Sequence, residues 1–220
     1  MTKDKILGII SVPLVFMPAV LHAILEMLFK NQQWWNFYLY YAIACFISIM
    51  IFILLKLLFN FKLSDIGFTS FKWSYLGWAI LGFILGGMTY YGLSLLLTNI
   101  GIPKTSNWGM DIKYENIFQF ILIIIYAVIA APIVEEIFFR GLIISYFGKL
   151  TKNWIAGIIS VLLFTFYHYL GFGLYIGILF IPIAIIPTVL FLWKKSIIPG
   201  LIWHMINNFF VFVVLSLLNQ

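Results

Sequence analysis

The stretch Ala131-Pro132-Ile133-Val134-Glu135-Glu136-Ile137-Phe138-Phe139-Arg140 sets three ionisable side chains in the middle of an apolar segment. The run Ile117 to Ala131 precedes the charges and Gly141-Leu142-Ile143-Ile144-Ser145-Tyr146-Phe147 follows them, so they do not flank a span but lie within it. On insertion scales a mid-bilayer Glu or Arg costs roughly 2.5 to 3.5 kcal/mol, and three unpaired ones about 8 to 10 kcal/mol. A helix carrying that penalty must face a polar interior. The expected fold is therefore all-α, a polytopic transmembrane bundle of kinked helices around an intramembrane polar cavity.

Helical spacing assigns the partners. Glu136 and Arg140 are four residues apart and share a face, which predicts an ion pair with the only arginine of the chain. Glu135 sits about 100° round the helix and is left free for chemistry. Pro132, four residues before Glu136, is expected to free the carbonyl of Val128 and bend the helix into a polar notch beside the carboxylates. The bland alternative is a helix-packing cluster of the three charges.

Composition widens the same reading. Over 220 residues, 64% are hydrophobic, 20% aromatic and 9% charged, which excludes a soluble core. At about 20 apolar residues per span this length holds about seven helices (six to eight) and no separate soluble domain. The division expected is 1–116, three spans with an interfacial segment and a loop, and 117–220, the chemistry-bearing bundle. The net charge of +6 comes from lysines scattered at span ends, which points to anionic lipid head groups and not to nucleic acid. The lone Cys45 allows no intramolecular disulfide and reads as a small core residue. The first 30 residues contain Pro13, Pro18, His22 and Glu26 and no small-residue cleavage site, so they read as a retained first helix.

The spans expected are Ile6 to Phe29, Trp34 to Phe59, Trp73 to Leu97, Ile117 to Phe147, Trp154 to Leu170, a sixth reaching Trp193 after a turn at Gly171-Phe172-Gly173, and Ile198 to Leu218. His22 and Glu26, four apart, read as a local pair near the membrane surface or as a contact to the site. Between Phe61 and Lys72 an interfacial segment is expected, with Ser64 able to cap a short helix. Gly101 to Tyr114, with Pro103, Ser106, Asn107, Gly109 and Asp111, is the one real loop. With a cytoplasmic N-terminus the inner side collects Lys3, Lys5, Lys56, Lys62, Lys72, Lys149, Lys152, Lys194 and Lys195, against Lys30, Lys104 and Lys113 outside. Nine against three is the asymmetry of the positive-inside rule.

Two more histidines stand inside apolar helices. His168 ends Phe164-Thr165-Phe166-Tyr167-His168, and His204 opens His204-Met205-Ile206-Asn207-Asn208, with Asn208 one turn later on the same face. Such residues are costly in lipid unless they face a polar interior. With Glu135 they make up a base, its orienting partner and two hydrogen-bond donors, a set suited to splitting a peptide bond with water. No serine, cysteine or aspartate shows a comparable nucleophile arrangement.

Glu135-Glu136-x-x-x-Arg140, Phe164-x-x-x-His168 and His204-x-x-x-Asn208, in that order, resemble the motifs of the CPBP family of intramembrane proteases, the CAAX prenyl endopeptidase and bacteriocin-processing (Abi) group. The resemblance covers roughly residues 117 to 213. It implies an intramembrane endopeptidase acting on a membrane-associated peptide or lipidated peptide, in which Glu135 with His168 activates water. His204 and Asn208 would stabilise the oxyanion, and Glu136 with Arg140 would hold the site in shape. Two other classes stay open: a non-catalytic membrane protein of the same fold, such as a bacteriocin-immunity factor, and a proton-coupled transporter, whose inverted repeat is missing.

No cofactor is expected. Zinc is the rival, with Glu135, His168 and His204 as ligands, but that choice uses up the free carboxylate while spacing commits Glu136 to Arg140. The two histidines also lie on different spans, unlike the two-histidine helix motif of many zinc proteases. One difficulty is depth. At about 1.5 Å per residue, Glu135 and His168 lie roughly 18 to 21 Å from the inner ends of their spans and His204 about 9 Å. Bringing them together requires irregular helices and a re-entrant start to the last span around Pro199-Gly200.

Overall fold

The computed structural model of the protein describes residues 2–29, 34–104 and 114–218, and among these every regular element is helical. α1 (Lys3–Leu14) and α2 (Met17–Phe29) meet at a bend of 45°. Pro13 lies in the last turn of the first and Pro18 in the first turn of the second, and neither ring can donate to a continuous ladder. α3 (Trp34–Phe59), α4 (Trp73–Asn99), α5 (Ile117–Lys149), α6 (Asn153–Lys194) and α7 (Ile198–Leu218) follow. Lys30, Lys113 and most of the loop expected from Gly101 to Tyr114 lie outside the described residues.

Five helices are long and apolar enough to cross a membrane, and α1 with α2 makes a sixth as one bent span. The seventh is hidden in α6. Its 42 residues would reach about 63 Å if straight, twice a hydrocarbon core of about 30 Å. The chain instead reverses at Gly173, whose φ of 84° and ψ of 179° are open to glycine and strained for other residues. The two arms, 153–172 and 174–194, pack antiparallel. His168 stacks on Phe180 at 4.0 Å, and a Cβ placed on Gly177 would meet Tyr169 Cβ at 2.8 Å. Further along, a Cβ on Gly157 would meet Leu192 at 3.0 Å. The turn thus falls within the glycine pair read from the sequence, and the protein is a multi-pass membrane protein of about seven spans.

Several lysine-bearing helix ends lie together. Lys149 at the end of α5 pairs with Asp4 in α1 at 2.8 Å, and Lys194 at the end of α6 sits 4.8 Å from the ring of Trp78 near the start of α4. Beside them, the segment between α3 and α4 corrects an expectation. Ser64 lies inside the turn and is not its cap. A single turn, Leu63–Ile66, follows Lys62, whose backbone N–H donates to the Asp65 carboxylate at 2.9 Å. Ile66 is completely buried, and Gly67 at φ 86° turns its carbonyl to accept from Ile197 N–H at 2.9 Å. One buried aliphatic side chain and one backbone acceptor tie this otherwise exposed turn to the bundle.

The interior belongs to α5 and α6, with 44% and 56% of their apolar windows buried, against 28% for α3 and 17% for α4. Cys45 of α3 is buried, as expected of a small core residue.

Candidate functional site

The irregularity of α5 builds the site. Residues Ile124–Ala130 and Glu136–Ile144 are wound as wide π turns on either side of the short α segment Ala131–Glu135. Ala131 N–H reaches back five residues to Tyr126 O, so the next donor in that register would be residue 132. That residue is proline and has no N–H. In the five-residue register the carbonyl that Pro132 leaves over is that of Ala127, one residue before the Val128 carbonyl that an α-helical register frees. Asn208 Nδ2 donates to it at 2.8 Å, tying α7 into the notch. The other wide turns carry side-chain donors as well: Ser160 Oγ donates to Phe139 O at 2.7 Å, and Tyr114 OH to Phe212 O. A buried carbonyl without a partner is costly, and each of these is satisfied. Wide turns of this kind cluster at functional sites.

Next to the notch runs a line of buried charge. Arg140 is wholly enclosed; it donates from one nitrogen to Glu136 Oε1 and from another to Ala184 O, each at 3.0 Å, with its guanidinium 4.6 Å over the Phe164 ring. His204 Nδ1 donates to the same Glu136 oxygen at 3.0 Å. With one ring nitrogen fixed, the other is aimed, and His204 Nε2 stands 3.6 Å from Glu135 Oε2. Glu136 is thus held by Arg140 and holds His204. The ion pair expected from the spacing of four is present, with side-chain exposures of 0% and 1%.

Glu135 keeps 15% of its side chain exposed, toward a cavity of about 80 Å³ that it shares with His168, His204 and Asn208. His168 Nδ1 donates to Phe164 O at 2.9 Å, four residues back on its own helix, which leaves Nε2 as its available nitrogen. Its ring is clamped on Phe180. The structure brings His204 to Glu135, whereas no hydrogen bond or ion pair joins Glu135 to His168 among the described residues. Glu135, His168, His204 and Asn208 nevertheless face one space. The depth problem is solved where irregularity was expected: α7 begins inside the bundle. Ser196 and Ile197 are buried, and Gly200 lies so close to Glu136 that a Cβ there would be 3.2 Å from its Oε2.

The four tyrosines of the cavity wall, Tyr38, Tyr41, Tyr126 and Tyr167, were not read from the sequence as part of the site. Tyr167 adjoins His168 and had a signal; Tyr41 is one aromatic among many in α3 and had none. His22 stacks on Tyr41 at 3.8 Å and stands 4.0 Å from Glu26, so the residue read as a surface pair also backs the cavity wall. Among the described residues no group of three His, Cys, Asp or Glu side chains is arranged to hold a metal ion.

Comparison with known proteins agrees with the motif reading. Residues 117–210 match the family model described as type II CAAX prenyl endopeptidase Rce1-like. The UPF0177 protein YbdI of Lactococcus lactis subsp. lactis (strain IL1403) is 30% identical over 142 residues, covering 63% of this chain and 73% of that protein. No solved structure matches the chain significantly. The matched segment holds Glu135, Glu136, Arg140, His168, His204 and Asn208, and on these grounds the chain belongs to the CPBP family of membrane proteins, the CAAX prenyl endopeptidase and Abi group.

Proposed function

We propose that the protein is an intramembrane endopeptidase that hydrolyses a membrane-associated peptide with water activated by Glu135. The observation that carries this reading is a carboxylate without a hydrogen-bond partner on its Oε2, bordering a cavity of about 80 Å³ lined by two histidines and an asparagine. That space admits water and a scissile carbonyl. Glu135 takes a proton from the water while His168 Nε2 orients it, and the water oxygen bonds to the carbonyl carbon. His204, as an imidazolium held through Nδ1 by Glu136, and the second amide N–H of Asn208 donate to the oxyanion. Glu135 then passes its proton to the departing nitrogen as the C–N bond breaks. Arg140 and Glu136 touch no reacting atom and keep His204 in position. Bacteriocins, pheromone precursors and lipidated peptides are the substrate classes that suit such a site.

The experiment is mass spectrometry of membrane peptides from cells with the wild-type protein and with Glu135→Gln, which keeps the volume and removes the base. General-base contributions of about 10²- to 10⁴-fold predict loss of the processed peptides with the variant still folded in the membrane. Unchanged processing would remove the hydrolase reading. We further propose that no metal takes part: Glu136 and Phe164 O already engage one nitrogen of each histidine, and Glu135 is needed as base. Stoichiometric zinc, with activity lost to a chelator and restored by the metal, would overturn that part. The lysine-rich ends are assigned to the cytoplasm on the positive-inside rule. With Cys45 replaced by Ser, a cysteine at Lys194 is then expected to resist a membrane-impermeant thiol reagent in intact cells and to react after lysis.

A further inference from the structure

A second cavity, of about 170 Å³, lies between α4, the second arm of α6 and α7, lined by Phe83, Gly87, Tyr90, Phe180, Phe210 and Val211 among others. Dry apolar cavities of about 150 Å³ accept a group the size of benzene, so this one matches a single aromatic or branched aliphatic side chain. Two features join it to the catalytic cavity. Phe180 belongs to both linings, and its ring stacks on His168 at 4.0 Å. Asn207 lines the apolar cavity, Asn208 lines the catalytic one, and Nδ2 of the first donates to Oδ1 of the second at 3.4 Å. Asn207 makes no other side-chain hydrogen bond among the described residues, and its Oδ1 is left to accept a backbone N–H. An apolar pocket with one polar anchor at its mouth suits a peptide residue better than a free hydrocarbon chain.

We infer that this cavity is the subsite for one large apolar side chain of the peptide substrate, entering from the lipid between α4 and α7, and that Gly87 sets its size. The inference rests on the peptidase reading above. It adds a specificity determinant from α4, outside the matched residues 117–210. Gly87 is one of the cavity's lining residues and a Cβ on it would meet nothing within 4 Å, so a longer side chain at 87 has room to extend into the cavity. Gly92 is equally open but lies outside the lining, which makes it the matched control.

The test uses the full chain in lipid nanodiscs with Glu135→Gln, so that peptide stays intact, and a synthetic single-span peptide carrying diazirine-leucine at one scanned position. After irradiation, crosslinks from one peptide position are expected within 83–90 and 207–215. One extra methylene in an apolar pocket is worth about 10- to 200-fold, so Gly87→Leu should lower that labelling at least about tenfold while Gly92→Leu does not. With the Glu135 carboxylate restored, Gly87→Leu should shift the residue found at a fixed distance from the cut from Leu or Phe toward Ala. Peptide labelling that is indifferent to Gly87→Leu overturns the proposal. So does a diazirine phospholipid that labels the same residues undiminished by excess peptide, which would make the pocket a lipid site. The crosslinking arm needs no cleavage: a peptide that seats normally on a protein that never cuts would sink the peptidase reading and leave the subsite standing.

Discussion

α4 and α5 are both apolar helices long enough to cross a membrane, and α5 is the more apolar of the two, yet α5 runs through the interior and α4 faces lipid. The buried share of their windows is 44% for α5 and 17% for α4. In water the more apolar helix would be driven inside, but lipid tails are as apolar as leucine and exert no such drive. What takes α5 inward is its polar residue set and its orphaned carbonyls, each needing a partner from another helix. Arg140 finds Ala184 O, Glu136 finds His204, Ala127 O finds Asn208 and Phe139 O finds Ser160. α4 carries no charge and, among the described residues, no freed carbonyl with an interhelical partner. An interhelical hydrogen bond joins its Ser94 Oγ to Tyr175 OH at 2.7 Å, and it touches the bundle through that contact, a few aromatics and small residues. A Cβ on Gly82 would come within 2.9 Å of both Ile186 and Trp203, while Gly77, Gly87 and Gly92 face open space. Position in this bundle is set by unmet hydrogen bonds and close approach.

The sharpest way to break that comparison is to delete the charge that anchors α5. Arg140→Ala strands Glu136 and removes a donor from Ala184 O, and losing one partner of a buried pair costs about 3 to 5 kcal/mol. A lipid-facing substitution on α4, Ile84→Ala at 52% exposure, should change stability by about 0.5 kcal/mol or less. Thermal unfolding of both variants in the same detergent compares them directly; equal effects would mean that the polar line does not place α5.

Glycine to alanine on the two kinds of face should differ in sign. At Gly177 the new Cβ lies 2.8 Å from Tyr169 Cβ across the α6 hairpin, and overpacking of that kind costs about 1 to 3 kcal/mol. At Gly92 it meets nothing, and the helix gains about 0.5 to 1 kcal/mol from the better residue. A stable Gly177→Ala protein would argue that the arms of α6 do not pack as closely as described.

The bundle was legible because burial of charge is expensive. Glu136 and Arg140 gave their pairing through helical spacing, Gly171 to Gly173 gave the hairpin, and the depth of His204 gave warning of irregular helices. The rest depended on contacts between segments distant in sequence. Nothing local says that His204 stands beside Glu135 while His168 is turned to Phe164 O, because the aim of each ring is fixed by an acceptor on another element or another turn. Ser64 was misread as a cap because several polar residues stand in a row there, and only the folded backbone shows that the Asp65 carboxylate closes the turn by accepting from Lys62 N–H. The Ala127 carbonyl that Asn208 serves went unread, since a sequence does not reveal that a helix has widened to a five-residue register.

That register gives the last and smallest test. If Ala127 O is an orphan made by Pro132, Asn208 serves it only while the proline is there. Asn208→Ala in the wild-type background leaves a buried acceptor unpaired and should cost about 1 to 3 kcal/mol. Pro132→Ala restores an N–H five residues after Ala127, within reach of the same carbonyl if the wide turn persists. In that background Asn208→Ala should cost less, with a coupling of about 1 kcal/mol in the double-mutant cycle, as expected for groups sharing one partner. Thermal or denaturant unfolding of the four proteins measures stability apart from peptidase activity, which Asn208→Ala should lose in both backgrounds if its second N–H faces the oxyanion. Additive stabilities would mean that Asn208 and Pro132 act on different groups. Activity recovered by Pro132→Ala would mean that the asparagine only braces the notch, with no part in the chemistry.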